Sequence, residues 1–331
     1  MTDELVSAQG PTMQAMAIRS FGGPEVFASV QVPRPSPLPT EVLVRVHAAG
    51  INPLDLRTRA GFPTPAAAAL GKPPHILGWD VSGVVEAIGP GEFLFAPGDE
   101  VFGLLWLPRP AGAYAQYVTA PSRQFARKPV TLDHDHAAAL PLAGLTALQC
   151  LTDIAALAAG QRILIHAAGG GVGHLAVQIA KHLGAHVTAT ASPAKHQWLR
   201  SLGADEVIDY RTVPFEQVAH DMDVVLDLVG MAQPDTASRS IEVLRPGGLY
   251  LGVAPGRPDG FPELAARAGV RIAPEPLVEP DGHGLGQLAR LVDDGKLSVR
   301  VDKVFPLDRV ADAHAHSDSG ATGKTVLHVT D

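Results

Sequence analysis

A run of glycines at 167–173, set between an apolar strand and an amphipathic helix, constrains the fold of this chain more than any other feature. Ile163-Leu164-Ile165 leads into Ala167-Ala168-Gly169-Gly170-Gly171-Val172-Gly173. Val172, Leu175, Ala176, Ile179 and Leu183 then recur at helical spacing. The turn reads A-x-G-x-x-G through Ala168, Gly170 and Gly173, in the strand–turn–helix context of a dinucleotide-binding βαβ unit. Glycine permits a tight turn and lets a pyrophosphate approach the amides, while the helix N-terminus offers unpaired N–H groups and partial positive charge. Gly173 lets the helix pack close to the sheet. A structural turn rich in glycine would show the same triplet; the flanking strand and helix favour the dinucleotide. Ala168, Gly170, Gly171, Val172 and Gly173 are therefore expected at the cofactor.

Strand and helix patterns alternate around this turn from about Asp135 to Pro276. Strands are expected at 162–166, 186–190, 206–208, 223–228, 248–253 and 270–273, with helices between them. Repeated βα units imply a parallel, doubly wound Rossmann sheet. The end of the second strand then selects the dinucleotide. NAD sites carry an acid there, about 20 residues beyond the turn, to bind the ribose 2′-hydroxyl. Here the chain reads Thr190-Ala191-Ser192, and the nearest acid is Asp205. Without a carboxylate to repel it, a 2′-phosphate fits, with Ser192 as a donor and Lys195 as a charge. Tyr210 and Arg211, after the third strand, are placed to close the same pocket. NADPH is the expected cofactor, although Lys195 and Arg211 each also read as ordinary solvated charges.

The regions on either side differ in character. From Met13 to Thr131, short β-like runs such as 41–47, 81–88 and 114–118 are broken by proline and glycine, as in an antiparallel barrel. From Asp281 onward, a helix at 285–294, a strand near 301–305, a helix from Asp308 and a strand at 325–329 follow; their periodicity does not say which domain they join. The assignment is 13–131 for a first domain, 132–278 for a nucleotide domain, and 279–331 for a return to the first. Met1–Pro11 reads as a loose polar tail without a signal pattern. At 46% hydrophobic and 18% charged, the chain can bury a sizeable core. A net charge of −8 with no Lys/Arg run argues against nucleic acid or an anionic membrane, and no apolar stretch reaches bilayer length. With Cys150 as the one cysteine, no internal disulfide and no cysteine-based zinc site can form, which fits a cytoplasmic setting.

The segment Arg162–Ala185, RILIHAAGGGVGHLAVQIAKHLGA, resembles the cofactor turn of the zinc-independent, zeta-crystallin-like quinone oxidoreductases of the medium-chain dehydrogenase/reductase superfamily. The likeness extends over nearly the whole chain. It includes Gly50-Ile51-Asn52-Pro53-Leu54-Asp55, Gly78-Trp79-Asp80-Val81-Ser82-Gly83 and Pro97-Gly98-Asp99-Glu100-Val101-Phe102-Gly103. Ala138–Pro141, Gly144–Ala147, Leu202–Asp205, Leu244–Gly248 and Gly323-Lys324 also fit. The resemblance implies a GroES-like β-barrel catalytic domain built from both chain ends, a Rossmann domain inserted in it, and a homodimer. It further implies a reductase acting on a quinone or enone, a small-molecule substrate, where the domains meet. Val253 and Lys324 are placed at the cofactor by the same resemblance, and Thr146 at the nicotinamide, unless its hydroxyl bonds its own helix backbone.

The same likeness places Asn52 at the nicotinamide ribose or the substrate and gives Asp55 a positioning role. Relatives carry Tyr or Lys two residues after the acid; here that residue is Arg57. Arginine does not readily donate a proton, so Arg57 reads either as a clamp on an oxyanion or as a charge at the rim. Water then supplies the proton. Trp79 reads as a pocket wall or, more commonly for an aromatic, as core. Zinc-dependent relatives carry a histidine after the equivalent of Gly78, where this chain has Trp79-Asp80. The pairs His134/His136, His314/His316 and His166/His174 read as structural, with Asp133 or Asp135 capping a helix. No metal is expected. Two alternatives remain: a zinc-type alcohol dehydrogenase, and a redox-inert NADPH-binding scaffold.

Overall fold

The structure is a computed structural model and describes residues 10–233 and 235–330. Most of the tail expected at Met1–Pro11 lies outside these residues. The chain forms two compact units. One comprises the chain to Leu142, then Pro280–Ala289 and Val301 onward; the other comprises Ala143–Glu279 and Arg290–Arg300.

In the first unit, β1 (Thr12–Ile18) pairs antiparallel with β2 (Phe27–Pro33) along its whole length. The long β3 (Glu41–Ile51) runs into α1 (Pro53–Ala60) and α2 (Pro65–Ala69), and the short β4 (His75–Ile76) joins the far edge of β1. Then follow β5 (Asp80–Ile88), β6 (Glu100–Leu104), β7 (Tyr117–Pro121), β8 (Phe125–Arg127) and α3 (His134–Ala138). β3 is the spine: β5 and β7 pair with it, and Val42, Val44, Val46 and Ala49 are all buried. Fully burying a valine side chain stabilises the fold by about 1.5–3 kcal/mol. The strand expected from Tyr114 starts only at Tyr117. Before that point the amides of Ala113 and Tyr114 bond Gly78 and Leu77 instead, and the Tyr114 ring fills the core beside Gly78.

In the second unit, α4 (Pro141–Gln149) enters from the first, and β9 (Arg162–Ile165), α5 (Gly173–His182), β10 (His186–Ala191), α6 (His196–Ser201) and β11 (Glu206–Asp209) form one half of the sheet. The other half holds β12 (Met222–Asp227), α7 (Asp235–Val243), β13 (Leu244–Gly252), α8 (Phe261–Ala268) and β14 (Arg271–Ile272). All pairings are parallel, in the order β11-β10-β9-β12-β13-β14. This is the expected doubly wound arrangement, with its topological switch beside β9, where such sheets bind ligands.

The chain ends with α9 (Gly282–Asp293), β15 (Val301–Pro306), α10 (Val310–Asp318) and β16 (Lys324–His328). β16 pairs antiparallel with β3, from Thr325 opposite Ile51 to His328 opposite Ala48. The C-terminus thus returns to the first unit and completes a seven-stranded sheet. Two boundaries differ from those expected. Residues 132–142 join the first unit, because α3 packs on β3 and β5 and the Leu142 amide bonds Asp80. Residues 290–300 join the second, because side chains of α5 hold Ser298 and Arg300.

Candidate functional site

The glycine turn lies in the second unit, at the end of β9. Its left-handed residue is Ala167, at φ 51°, rather than a glycine, and the Gly170 amide closes the turn onto the Ala167 carbonyl at 3.0 Å. The glycines are needed for space instead. A Cβ on Gly173 would lie 2.5 Å from the Ala167 carbonyl oxygen and 2.6 Å from the Ala168 Cα. Both obstacles are backbone, so the first turn of α5 lies against the loop only because position 173 has no side chain. The first bond of the helical ladder runs from the His174 amide to the Gly170 carbonyl. The amides of Gly171, Val172 and Gly173 precede it, at the end that favours an anion.

Lys195, distant in sequence, reaches this turn. Its Nζ donates to the Gly169 carbonyl at 3.2 Å, and its methylenes fill the space a Cβ on Gly169 would take. Parallel pairing sets Ala191 beside Asp209, so Ser192 and Tyr210 leave β10 and β11 at the same level. Tyr210 is exposed, with the Arg211 guanidinium 5.8 Å from its ring centre. The nearby carboxylates are engaged elsewhere. Asp205 pairs with Lys181 at 2.7 Å and accepts from the Val187 amide near the start of β10. Asp209 accepts from the Arg211 amide and the Thr212 hydroxyl. The amides at the start of α5 together with the Lys195 ammonium fit a dinucleotide phosphate. Val253 follows β13, with its amide bonded to the Asp227 carbonyl, and Thr146 is buried on α4.

The other expected residues lie in the first unit, in a buried polar network. Asn52 caps α1; its Nδ2 donates to Asp80 at 2.9 Å, and its Oδ1 accepts from the Lys324 ammonium. Lys324 also donates to the Ile51 carbonyl at 2.9 Å and reaches Asp80 at 3.5 Å. Its three donors are thus all used within this unit, and the structure places Lys324 in an interior ion pair. Asp55 accepts from the Asn52 amide at 2.8 Å and the Gly78 amide at 3.1 Å. Burial, the largest influence, pushes its carboxyl up to about 7, although the amides and Lys324 favour the anion. Burial likewise raises Asp80 and lowers Lys324. Arg57 is half-buried on α1. Trp79 is core, with its indole N–H bonded to the Arg109 carbonyl.

Sequence comparison now bears on this arrangement. Residues 38–130 match the alcohol dehydrogenase GroES-like domain, and residues 202–327 match the zinc-binding dehydrogenase family. A 2-haloacrylate reductase of Burkholderia sp is 36% identical, covering 95% of this chain and 98% of its own. The NADPH-dependent alkenal/one oxidoreductase, chloroplastic, of Arabidopsis thaliana is 33% identical, over 96% of this chain and 79% of its own. The solved quinone oxidoreductase from Coxiella burnetii superposes with a TM-score of 0.90 at 35% identity, covering 97% of this chain and all of that one.

The chain belongs to the medium-chain dehydrogenase/reductase superfamily. Among its members it is quinone oxidoreductase-like, an oxidoreductase that works with a nicotinamide cofactor. The first unit is its GroES-like domain and the second its Rossmann domain.

The family description names zinc. Cys150 is buried, and burial pushes its thiol up to about 12. Among the described residues no group of three or more His, Cys, Asp or Glu is placed to hold a metal ion. The histidine pairs do not act as pairs. His136 bonds Asp133, which caps α3, whereas His134 bonds Ser82 and stacks on His47. His316 meets Asp302, while His314 is buried between Arg59 and Tyr114.

The partners of several of these residues escaped the sequence reading, and Arg59 escaped it altogether. Arg59 is buried against His314 and Asp318, and the His314 contact continues through Tyr114 to Asp55. Burial holds His314 down to about 3, so it is a neutral ring. In the Rossmann unit His166 links Thr190 on β10 to Ser240 on α7. Ser240 gives its hydrogen to Thr236, so it accepts from His166, whose other nitrogen accepts from Thr190. Burial lowers this ring to about 4. Each partner lies at least 24 positions away, beyond the reach of a local pattern.

Proposed function

We propose that this oxidoreductase uses NADPH to reduce a quinone or an α,β-unsaturated carbonyl compound without a metal ion. The observation that carries the reading is Lys195, whose ammonium meets the glycine turn beside a strand end that lacks the acid of NAD sites. Ser192 and Tyr210 would complete the pocket for the 2′-phosphate, and the amides of Gly171, Val172 and Gly173 would hold the pyrophosphate. Relatives named as 2-haloacrylate reductase, alkenal/one oxidoreductase and quinone oxidoreductase support the substrate class. When bound, the nicotinamide supplies a hydride.

The chain's own part is to orient the dinucleotide and to stabilise the enolate or hydroquinone anion that hydride addition leaves. Arg57 is our candidate for that charge: its guanidinium stabilises an oxyanion, and water provides the proton. Asn52 and Asp55 act through position, since their polar atoms are taken up within the network. We further propose a cytoplasmic homodimer; among the described residues no helix is long and apolar enough to cross a membrane.

The test is calorimetric titration with NADPH and NADH, then an acceptor panel of quinones and enones with a chelator present. NADPH should bind at least about 10-fold more tightly than NADH, as a charged phosphate contact implies. Turnover should survive the chelator. NADPH binding without turnover on any acceptor would make the chain a redox-inert scaffold. Turnover that requires added zinc would favour the alcohol dehydrogenase alternative.

A further inference from the structure

We propose that His174 is a positioning residue that fixes the amide of Gly171 for the pyrophosphate, an inference that rests on the dinucleotide reading of the glycine turn. His174 lies in the first turn of α5 and is fully buried. Its Nδ1 is 2.9 Å from the Gly170 carbonyl oxygen, and its Nε2 accepts the Arg300 backbone N–H at 3.2 Å. The two contacts specify one tautomer. Arg300 can only donate, so Nε2 carries no hydrogen; Nδ1 therefore carries it and donates to Gly170.

The consequence falls on the next peptide group. The Gly170–Gly171 bond is trans, so the Gly170 carbonyl and the Gly171 N–H point in opposite directions. A carbonyl held toward the helix by both the His174 amide and the His174 ring keeps the Gly171 N–H directed out of the helix N-terminus. An amide already so directed loses less freedom when a phosphate arrives.

The Arg300 arm is itself braced. Gln178, one turn after His174 and on the same face of α5, accepts from the Ser298 amide at 2.8 Å and donates to the Ser298 carbonyl at 3.0 Å. Residues 298 and 300 thus lie along α5, in a stretch that belongs to no strand. Trp198 of α6 closes the cluster, its ring 5.6 Å from His174 and 5.1 Å from the Arg300 guanidinium. Three residues before Trp198 stands Lys195, which holds the Gly169 carbonyl. Two successive carbonyls of the turn are therefore anchored from two sides.

His174→Asn and His174→Gln separate the two arms. An Asn amide nitrogen falls near the position of Nδ1 and keeps the Gly170 contact; a Gln oxygen falls near Nε2 and keeps the Arg300 contact. Dissociation constants for NADPH and NADH are measured by fluorescence titration, with the denaturation midpoint of each cofactor-free protein alongside. His174→Gln is expected to weaken both nucleotides alike by about 5- to 10-fold, the size of one hydrogen bond, while His174→Asn stays within about 3-fold. Equal weakening by the two variants, tracking a common loss of stability, would overturn the assignment, as would no weakening by either. If the unaltered protein binds neither nucleotide, the dinucleotide reading fails and this inference falls with it.

Discussion

The glycine turn is assembled from sequence neighbours, whereas the buried network around Asp80 gathers side chains from α1, β5, α10, β16 and the loop before β7. The turn offers backbone amides to a ligand and keeps few side chains for itself. The network spends its polar atoms on one another: Lys324 has no donor left over, and both ends of the Asn52 amide are engaged. Family likeness places residues of both kinds in one functional list, yet the two regions do different physical work. In the turn, on our proposal, a side chain tunes which ligand binds. In the network, a side chain neutralises or holds a group that would otherwise be buried alone.

The largest expected effect breaks the network. Lys324→Met leaves Asp80 with no cation and should lower the unfolding free energy by about 3–5 kcal/mol in urea denaturation. Nucleotide affinity of the folded fraction should stay within a few-fold. An unchanged denaturation curve together with lost NADPH binding would return Lys324 to the cofactor and erase the distinction drawn between the regions.

A smaller effect reads the network by pH. Burial lifts Asp55 from 3.8 to about 7, so between these values the folded chain holds a proton that the unfolded chain has released. The stability this gives is complete below the lower value and lost as pH rises through the upper one. Asp55→Asn removes the titrating group. The stability advantage of the unaltered protein over Asp55→Asn should therefore shrink by on the order of 2–4 kcal/mol between pH 4 and pH 8. A constant advantage would show that the carboxyl titrates normally.

The smallest effect belongs to the turn. Lys195→Glu should leave the denaturation midpoint nearly unchanged, because the side chain is partly exposed. It should weaken NADPH by about 1.5–3 kcal/mol and NADH far less. Equal losses for the two nucleotides would place Lys195 at the pyrophosphate rather than at the 2′-phosphate.

The turn and the alternation of strands and helices around it were legible because both are written in short-range patterns. Every strand of the Rossmann sheet lies within a few residues of its expected place, and its parallel order follows from the βα repeats. The amphipathic face of α5 was legible too, but the helix is buried from Gly173 to Ala180, its opposite face included. What covers that face near its N-terminus, residues 298–300, comes more than a hundred positions later. The left-handed Ala167 was missed because the tight turn was ascribed to its glycines. Arg57 drew notice over Arg59 because the likeness pointed to its position; only packing shows that Arg59 is the buried one, held by α10.

By itself the sequence determined the fold class, the glycine turn, and the absence of an acid at the end of β10. Each depends on residues close enough in the chain to impose one local conformation or one local charge. The tertiary structure alone decided where Lys324, Arg59 and His314 spend their polar groups, and which tautomer His174 holds. Those outcomes depend on burial and on partners that only the folded chain brings within hydrogen-bonding distance, and no spacing in the sequence encodes them.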